Sequence, residues 1–410
     1  MAQGYLQVDV VSDTNNFPIT DAKISIAKTE EPDTILEELT TNSSGQTENV
    51  ALEAPPRELS LNPVEVRPYA EYTIRIVAPG YEPLVISGSE ILAESTSFQG
   101  ARLIPLSQAE GTEEDIVIPD HTLYGSFPPK IAESEIKPMG ESGEIVLSRV
   151  VVPQTVVVHD GVPSDSSAKN YYVPYRDYIK NVASSEIYAT WPQSSITANV
   201  LAIMSFTLNR VYTEWYRNKG YDFTITSSTA YDHKWIFGRN IYESISVVVD
   251  DIFDSFLSRP EVKQPILTQY CDGRQVTCPG WMTQWGSCDL GERGYSPIEI
   301  LRYFYGDDMY INTAEQISGI PASWPGQDLT IGSSGNKVQQ IQEQLDTVAT
   351  IYTAIPRIRP DGIYGQATAS AVEAFQSVFG LPVTGVVDFA TWYKISHIYV
   401  GITRIAELNS

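Results

Sequence analysis

Along Asp177-Tyr-Ile-Lys-Asn-Val-Ala-Ser-Ser-Glu186-Ile, the apolar residues Tyr178, Ile179, Val182, Ala183 and Ile187 recur at the spacing of one helical face. Glu186 lies three and four residues after Ala183 and Val182, and eight after Tyr178, so the helix turns this carboxylate onto the face that it buries. A carboxyl group taken out of water favours its neutral form, and its pKa rises. A fraction then stays protonated near neutral pH, which makes Glu186 a candidate general acid. A buried glutamate satisfied by a neighbour, or capping a short helix ahead of Pro192, fits the same spacing.

Three cysteines, Cys271, Cys278 and Cys288, lie close together. A zinc site wants about four ligands at short range, but this spacing is not Cys-x-x-Cys and His233 is the only histidine near them in sequence. The histidines His121, His159, His233 and His397 show no paired spacing. No metal and no other cofactor is expected. A cystine or buried free thiols are the readings set against zinc, and the odd number argues against a disulfide framework for the whole fold.

The elements that must position these groups belong to a multidomain chain. With 410 residues, 42% hydrophobic and 19% charged, it has enough material for two or three compact domains. A formal charge of -24 sets nucleic acid and anionic membrane surfaces aside as partners, because both would repel the average surface. No run approaches the roughly twenty apolar residues of a membrane span, and the first residues alternate like a strand, so no signal peptide is expected.

Residues 1–106 read as an all-β sandwich, with alternation at Leu6, Val8 and Val10, at Ile24 and Ile26, and at Tyr72, Ile74 and Ile76. Turns are marked by Asn42-Ser-Ser-Gly45 and Pro79-Gly80. Residues 107–149 form an acidic, proline-bearing linker that carries Glu110, Glu113, Glu114, Asp115, Asp120, Glu133, Glu135, Glu141 and Glu144 against Lys130 and Lys137. Residues 150–325 make an α+β region. Its helices are expected over Asp177 to Ile187, from Ile196 to Trp215 with a stop by Gly220, and along Ile241, Ile245, Val248, Val249, Ile252, Phe253 and Phe256. Residues 326–405 form a small three-helix bundle, with one apolar face at Val338, Ile341 and Leu345 and another at Val372, Phe375 and Phe379.

Thr41-Asn-Ser-Ser-Gly45-Gln-Thr47, with Tyr72-Thr-Ile-Arg-Ile76 and Ala78-Pro-Gly-Tyr81, resembles the carboxypeptidase-regulatory-like β-sandwich, which implies no chemistry of its own. Ile331-Gly-Ser-Ser-Gly335, Pro360-Asp-Gly362-Ile-Tyr-Gly365, Ala371-Val372-Glu-Ala-Phe375-Gln376 and Gly380-Leu-Pro-Val-Thr-Gly385, in this order, resemble the three-helix peptidoglycan-binding domain. That resemblance implies peptidoglycan as partner, with ligand contacts expected near the exposed polar and aromatic residues, Asp361 and Tyr364 among them.

The Glu186 helix, the Trp191-Pro192 step and Ala198-Asn-Val-Leu-Ala202 resemble the stage II sporulation protein D family. Ser227-Ser-Thr-Ala-Tyr231, Gly280-Trp-Met-Thr-Gln284-Trp-Gly286 and Tyr303-Phe-Tyr305-Gly306 extend the likeness, while Met204 stands where that family usually has an arginine. The resemblance implies a lytic transglycosylase whose single catalytic glutamate is Glu186. Gln284 and Tyr305 are its candidates for orienting the carboxyl or binding sugar, and Trp191, Ser227 and Tyr303 for substrate contact.

The three-part order is similar to the germination-specific spore cortex-lytic enzymes of clostridia (SleC type). This implies a zymogen located in the spore, at or outside the cortex. Its front end would be removed by a subtilisin-like protease, and the composition break at Arg149-Val150 is the expected cut. A non-catalytic wall-binding activator and an N-acetylmuramoyl-L-alanine amidase are the alternative readings.

Overall fold

Alternation at Leu6, Val8 and Val10 puts three fully buried side chains on one face of the strand Ala2–Ser12. This strand pairs antiparallel with Val50–Ala54 and parallel with Thr96–Leu103. A second sheet runs in the order Ile35–Thr40, Lys23–Lys28, Ala70–Val77, Leu84–Ile91 and Glu114–Val117. Ile24, Ile26, Ile74, Ile76 and Ile86 from this sheet share one core with Leu6, Val8 and Val10 from the first. The N-terminal region is thus sheet-rich, and its last strand lies beyond residue 106.

The computed structural model describes residues 2–63, 65–106, 114–137 and 146–403. Of the expected acidic linker, residues 107–113 and 138–145, with Glu110, Glu113, Glu141 and Glu144, lie outside the described residues, as do 404 and 405 of the expected bundle.

The central region is organised around Gln193–Tyr212, a helix buried along almost its whole length. Tyr175–Glu186, Glu243–Ile252, Gln284–Glu292 and Pro297–Tyr305 all pack on it. The last of these starts at a capping box, in which Ser296 and Glu299 satisfy each other's backbone, with Pro297 at the first helical position. The Gln193 helix stops at Tyr212, short of Trp215, and Gly220 takes a left-handed turn at φ 84° after a 3-10 turn at Arg217–Lys219.

The helix expected over Ile241 to Phe256 spans only Glu243–Ile252. Ile241–Tyr242 pairs instead with Phe98 and Ser97 in the N-terminal sheet, and Phe256 belongs to Ser255–Ser258, paired with Tyr310–Thr313. Hydrogen bonds offered by distant strands outweigh the local helical pattern at both ends.

Three helices, Asn336–Ala349, Gln366–Val378 and Phe389–Thr403, form the C-terminal region. Val338, Ile341, Leu345, Val372, Phe375 and Trp392 are buried among them. Two buried glutamines tie the connecting loops. The Gln342 amide accepts from the Gly362 N–H at 2.9 Å and donates to the Ile363 carbonyl at 3.0 Å. Gln376 accepts from the Thr384 and Gly385 N–H groups at 2.8 and 2.9 Å and donates to the Val386 carbonyl at 2.9 Å. Among the described residues no helix is long and apolar enough to cross a membrane.

Candidate active site

The helix Tyr175–Glu186 ends on the residue singled out by its spacing. A helix leaves its last four carbonyls without internal partners, and here each finds a different one. The Ala183 carbonyl accepts from the Ile187 N–H at 3.0 Å, and that of Ser184 accepts from the Arg239 guanidinium at 3.1 and 3.2 Å. The Ser185 carbonyl accepts from Thr122, and that of Glu186 accepts from the Gln284 amide at 2.9 Å. A cation at this end also suits the helix dipole. The backbone that carries Glu186 is therefore fixed by its own cap at Ile187 and by three separate parts of the chain.

The Glu186 carboxylate is 3% exposed. One oxygen accepts from the Lys234 backbone N–H at 2.6 Å, and the other accepts from the Tyr270 hydroxyl. Burial raises the Glu186 pKa above the ordinary carboxylate value, opposed by Lys130, by the Lys234 N–H and by Tyr270. Burial outweighs the three, so the neutral acid is favoured over what an exposed glutamate would show. Lys130 is shifted the other way by the same cause: burial lowers its pKa, while Glu186 and Asp232 hold the ammonium form. The Lys130 ammonium sits 5.2 Å from the ring centres of both Phe206 and Tyr270 and donates to the Asp232 carbonyl.

Glu186 forms part of a small cleft, whose other walls include Phe127, Pro128, Lys130, Tyr270, Asp272 and Gln284. Among the described residues lining it, Asp272 is the second carboxylate. Its oxygens already accept from the Arg274, Gln275 and Val276 N–H groups at 2.6–3.0 Å, which makes it a brace for its own loop. The same loop is closed by a disulfide between Cys271 and Cys278, and Cys288 is a buried free thiol. Among the described residues no group of three or more His, Cys, Asp or Glu side chains is arranged to hold a metal.

Behind Tyr270, the His233 ring stacks at 5.8 Å and 13°, with Nδ1 on the Tyr178 hydroxyl at 3.0 Å and Nε2 without a partner. Burial pushes the His233 pKa well down, so the ring is neutral.

The other residues marked in the sequence are dispersed. Gln284 reaches the site through the Glu186 carbonyl. The Tyr305 hydroxyl donates to the Gln269 carbonyl at 2.9 Å, one residue from Tyr270. Trp191 is buried, its indole N–H donating at 2.8 Å to the Ser60 carbonyl of the N-terminal region. Ser227 donates to Asp160 at 2.8 Å, and Tyr303 is 67% exposed beside Phe304; none of these three lines the cleft. In the C-terminal region, Asp361 is exposed and accepts from the Ile363 N–H at 2.9 Å, whereas Tyr364 is buried and its hydroxyl donates to the Gly385 carbonyl. Arg149 is exposed and Val150 is buried. Tyr270, Lys130, Lys234 and Asp272 were not marked by sequence; a Tyr beside a Cys in an aromatic-poor loop is the only signal any of them carries.

The model of the peptidoglycan binding domain family PG_binding_1 matches residues 334–395. No curated protein matches the chain. Among solved structures, the SleB N-terminal domain is 28% identical over 19% of this chain and 99% of that one, with a TM-score of 0.17. GBS52, the minor pilin of Streptococcus agalactiae, is 11% identical over 28% of this chain and 49% of that one, with a TM-score of 0.19. At such scores neither likeness carries an argument. The family match gives the chain a peptidoglycan-binding domain at its C-terminal end, following a sheet-rich N-terminal region.

Proposed function

We propose that this chain is a spore cortex-lytic enzyme, made as a zymogen, which cleaves the bond between N-acetylmuramic acid and N-acetylglucosamine as a lytic transglycosylase during germination. The observation that carries the reading is Glu186: a buried carboxyl of raised pKa, held by two donors in a cleft of a chain that also carries a wall-binding domain. In the first half of the reaction the protonated Glu186 gives its proton to the glycosidic oxygen, and the bond from that oxygen to the muramic C1 breaks. In the second half the Glu186 carboxylate takes the proton of the same sugar's 6-hydroxyl, whose oxygen bonds to C1 and closes a 1,6-anhydro ring. No water is consumed and Glu186 returns to its starting form. A hydrolase would ordinarily use a second free carboxylate, and Asp272 is engaged by its own loop.

The zymogen reading is supported by the exposed Arg149, which precedes the buried Val150 and the short strand Val151–Val152. In this reading a subtilisin-like protease cuts at Arg149-Val150, and the C-terminal domain anchors the product on cortex in the spore. Mass spectrometry of cortex digested by the protease-treated chain is the test. Anhydro-muramic ends that vanish in Glu186→Gln are expected. Undiminished anhydro ends in that variant would overturn the assignment, free reducing ends would name a hydrolase, and new peptide amino termini an amidase.

A further inference from the structure

Residues 127–137 contribute to the walls of three clefts in the central region. Phe127 to Lys130 line the Glu186 cleft, Glu133 and Glu135 line one shared with Arg259, Gln269, Trp281 and Tyr305, and Ile131 to Ser134 line one beside Trp215 and Tyr221. Three clefts bordering one extended segment are what a single groove looks like with a strand of chain laid along it. The segment pairs in no sheet and sinks into the fold along its length, from the exposed Ile131 and Ala132 through the half-buried Glu133, Glu135 and Ile136 to the buried Lys137.

The contacts beneath it are specific in kind. The Gln269 side chain is buried, donates to the Ile131 carbonyl at 2.7 Å and accepts from the Glu133 N–H at 2.8 Å. It thus reads one carbonyl and one N–H of the occupant. Two residues further on, the Arg259 Nε and one terminal nitrogen hold both oxygens of Glu135 at 2.6 and 2.8 Å. Arg259 is itself positioned by Asp308 at 2.5 Å and by the Tyr305 carbonyl at 2.6 Å, and the Tyr305 hydroxyl holds the Gln269 backbone. If the segment leaves, two parallel donors on Arg259 and both ends of the Gln269 amide face an open groove without partners. Five positions along the chain take Lys130, beside Glu186, to Glu135, a reach of at most about 17 Å.

We propose that Gln269 and Arg259 form a subsite for an amide-and-carboxylate-bearing arm of the substrate, and that residues 128–137 occupy it as an internal stand-in, held there by the Glu133 and Glu135 ion pairs. This rests on the reading of the Glu186 cleft as the place where a glycan is bound. A peptide stem on the sugar has the required chemistry, amides followed by a free carboxylate. Arg259 and Gln269 are binding residues, with no part in proton transfer.

The test uses the full chain carrying Glu186→Gln, so that nothing is cleaved, with Lys130→Ala, Glu133→Gln and Glu135→Gln added to loosen the segment. Hydrogen exchange follows residues 128–137, and calorimetry measures binding of a disaccharide tetrapeptide and of the same compound with its carboxylates amidated. The segment should exchange faster, and the free-carboxylate probe should bind about tenfold tighter than the amidated one. Adding Arg259→Gln should erase that preference while leaving the affinity for the amidated probe within about twofold. A segment that exchanges no faster without its ion pairs, no preference in the loosened chain, or a preference that survives Arg259→Gln would each overturn the proposal. Because binding is the readout, a chain with this preference that leaves no anhydro ends on cortex would refute the transglycosylase reading and leave the subsite standing.

Discussion

Replacing Tyr270 with Phe should raise the pKa of Glu186 by about one unit. The Tyr270 hydroxyl is one of the two hydrogen-bond donors on the buried carboxylate, and it stabilises the ionised form. A hydrogen bond to a charged acceptor is worth about 1.5–3 kcal/mol, and one between neutral groups about 0.5–1.5. The variant removes both, so the ionised form loses about 1.4 kcal/mol more than the neutral one, which is one pKa unit. NMR titration of carboxyl-labelled glutamate would follow it, the Glu186 signal being identified by its loss in Glu186→Gln. Because the Glu186 pKa is already raised on folding, its contribution to stability is complete below the ordinary glutamate pKa and is lost as pH climbs through the folded value. Tyr270→Phe should move that loss to higher pH, together with the alkaline limb of cleavage in the protease-treated chain. An unchanged or lowered Glu186 pKa would refute the assignment of Tyr270 as the donor that holds the ionised form.

Lys130→Ala takes away the cation that most favours the Glu186 carboxylate, so it should also move the Glu186 titration upward, by the same NMR readout. Reduction of Cys271–Cys278 frees the loop that carries Asp272 and Val276, at a cost of about 2–3 kcal/mol for a ring this short. Hydrogen exchange should accelerate in residues 272–277 under a phosphine reductant, while the helix Gln366–Val378 keeps its protection. Gln376→Ala leaves the Gly385 N–H buried without an acceptor, takes the acceptor from the part-buried Thr384 N–H, and should destabilise the C-terminal domain by about 2 kcal/mol. Its effect would be read as a lower melting temperature and lost sedimentation with peptidoglycan.

Much of the local structure was legible because it is periodic. Tyr178, Ile179, Val182 and Ala183 are fully buried as their spacing implied, although the helix is buried on nearly every face, Lys180, Asn181, Ser184 and Ser185 included, and Glu186 ends it as a buried carboxyl. The C-terminal helices carry Val338, Ile341 and Leu345 inside, as a heptad-like spacing requires, and residues 334–395 match the domain family. Apart from Gln284, what surrounds Glu186 was not legible. Tyr270 lies 84 positions away, and the Lys234 donor is a backbone group that any residue there would supply. Lys130, Glu133 and Glu135 sit in a stretch whose composition reads as a solvated linker, yet Glu133 pairs with the buried Arg210 at 2.6 Å and Glu135 with Arg259. Charge composition describes an average environment, whereas these acids each meet one guanidinium supplied by the far side of the fold. Trp191 and Tyr364, both expected to touch substrate, illustrate the opposite limit: an aromatic in a motif carries no label saying whether it faces solvent or core.

Two residues long, the strand Ile241–Tyr242 has no existence apart from Phe98 and Ser97, which give it hydrogen-bond partners some 140 positions earlier in the chain. Beside it, Asn240 exchanges hydrogen bonds with the Glu90 backbone at 2.8 and 3.1 Å, and Arg239 divides its guanidinium between the Glu90 carboxylate at 2.7 Å and the end of the Glu186 helix. A substitution at Glu90 is therefore felt at Ser184, two residues from the carboxyl. The front of this protein and its centre are thereby coupled: changes at Glu90 and Arg239 should be tolerated only together, and chimaeras joined between them from diverged copies should fold poorly.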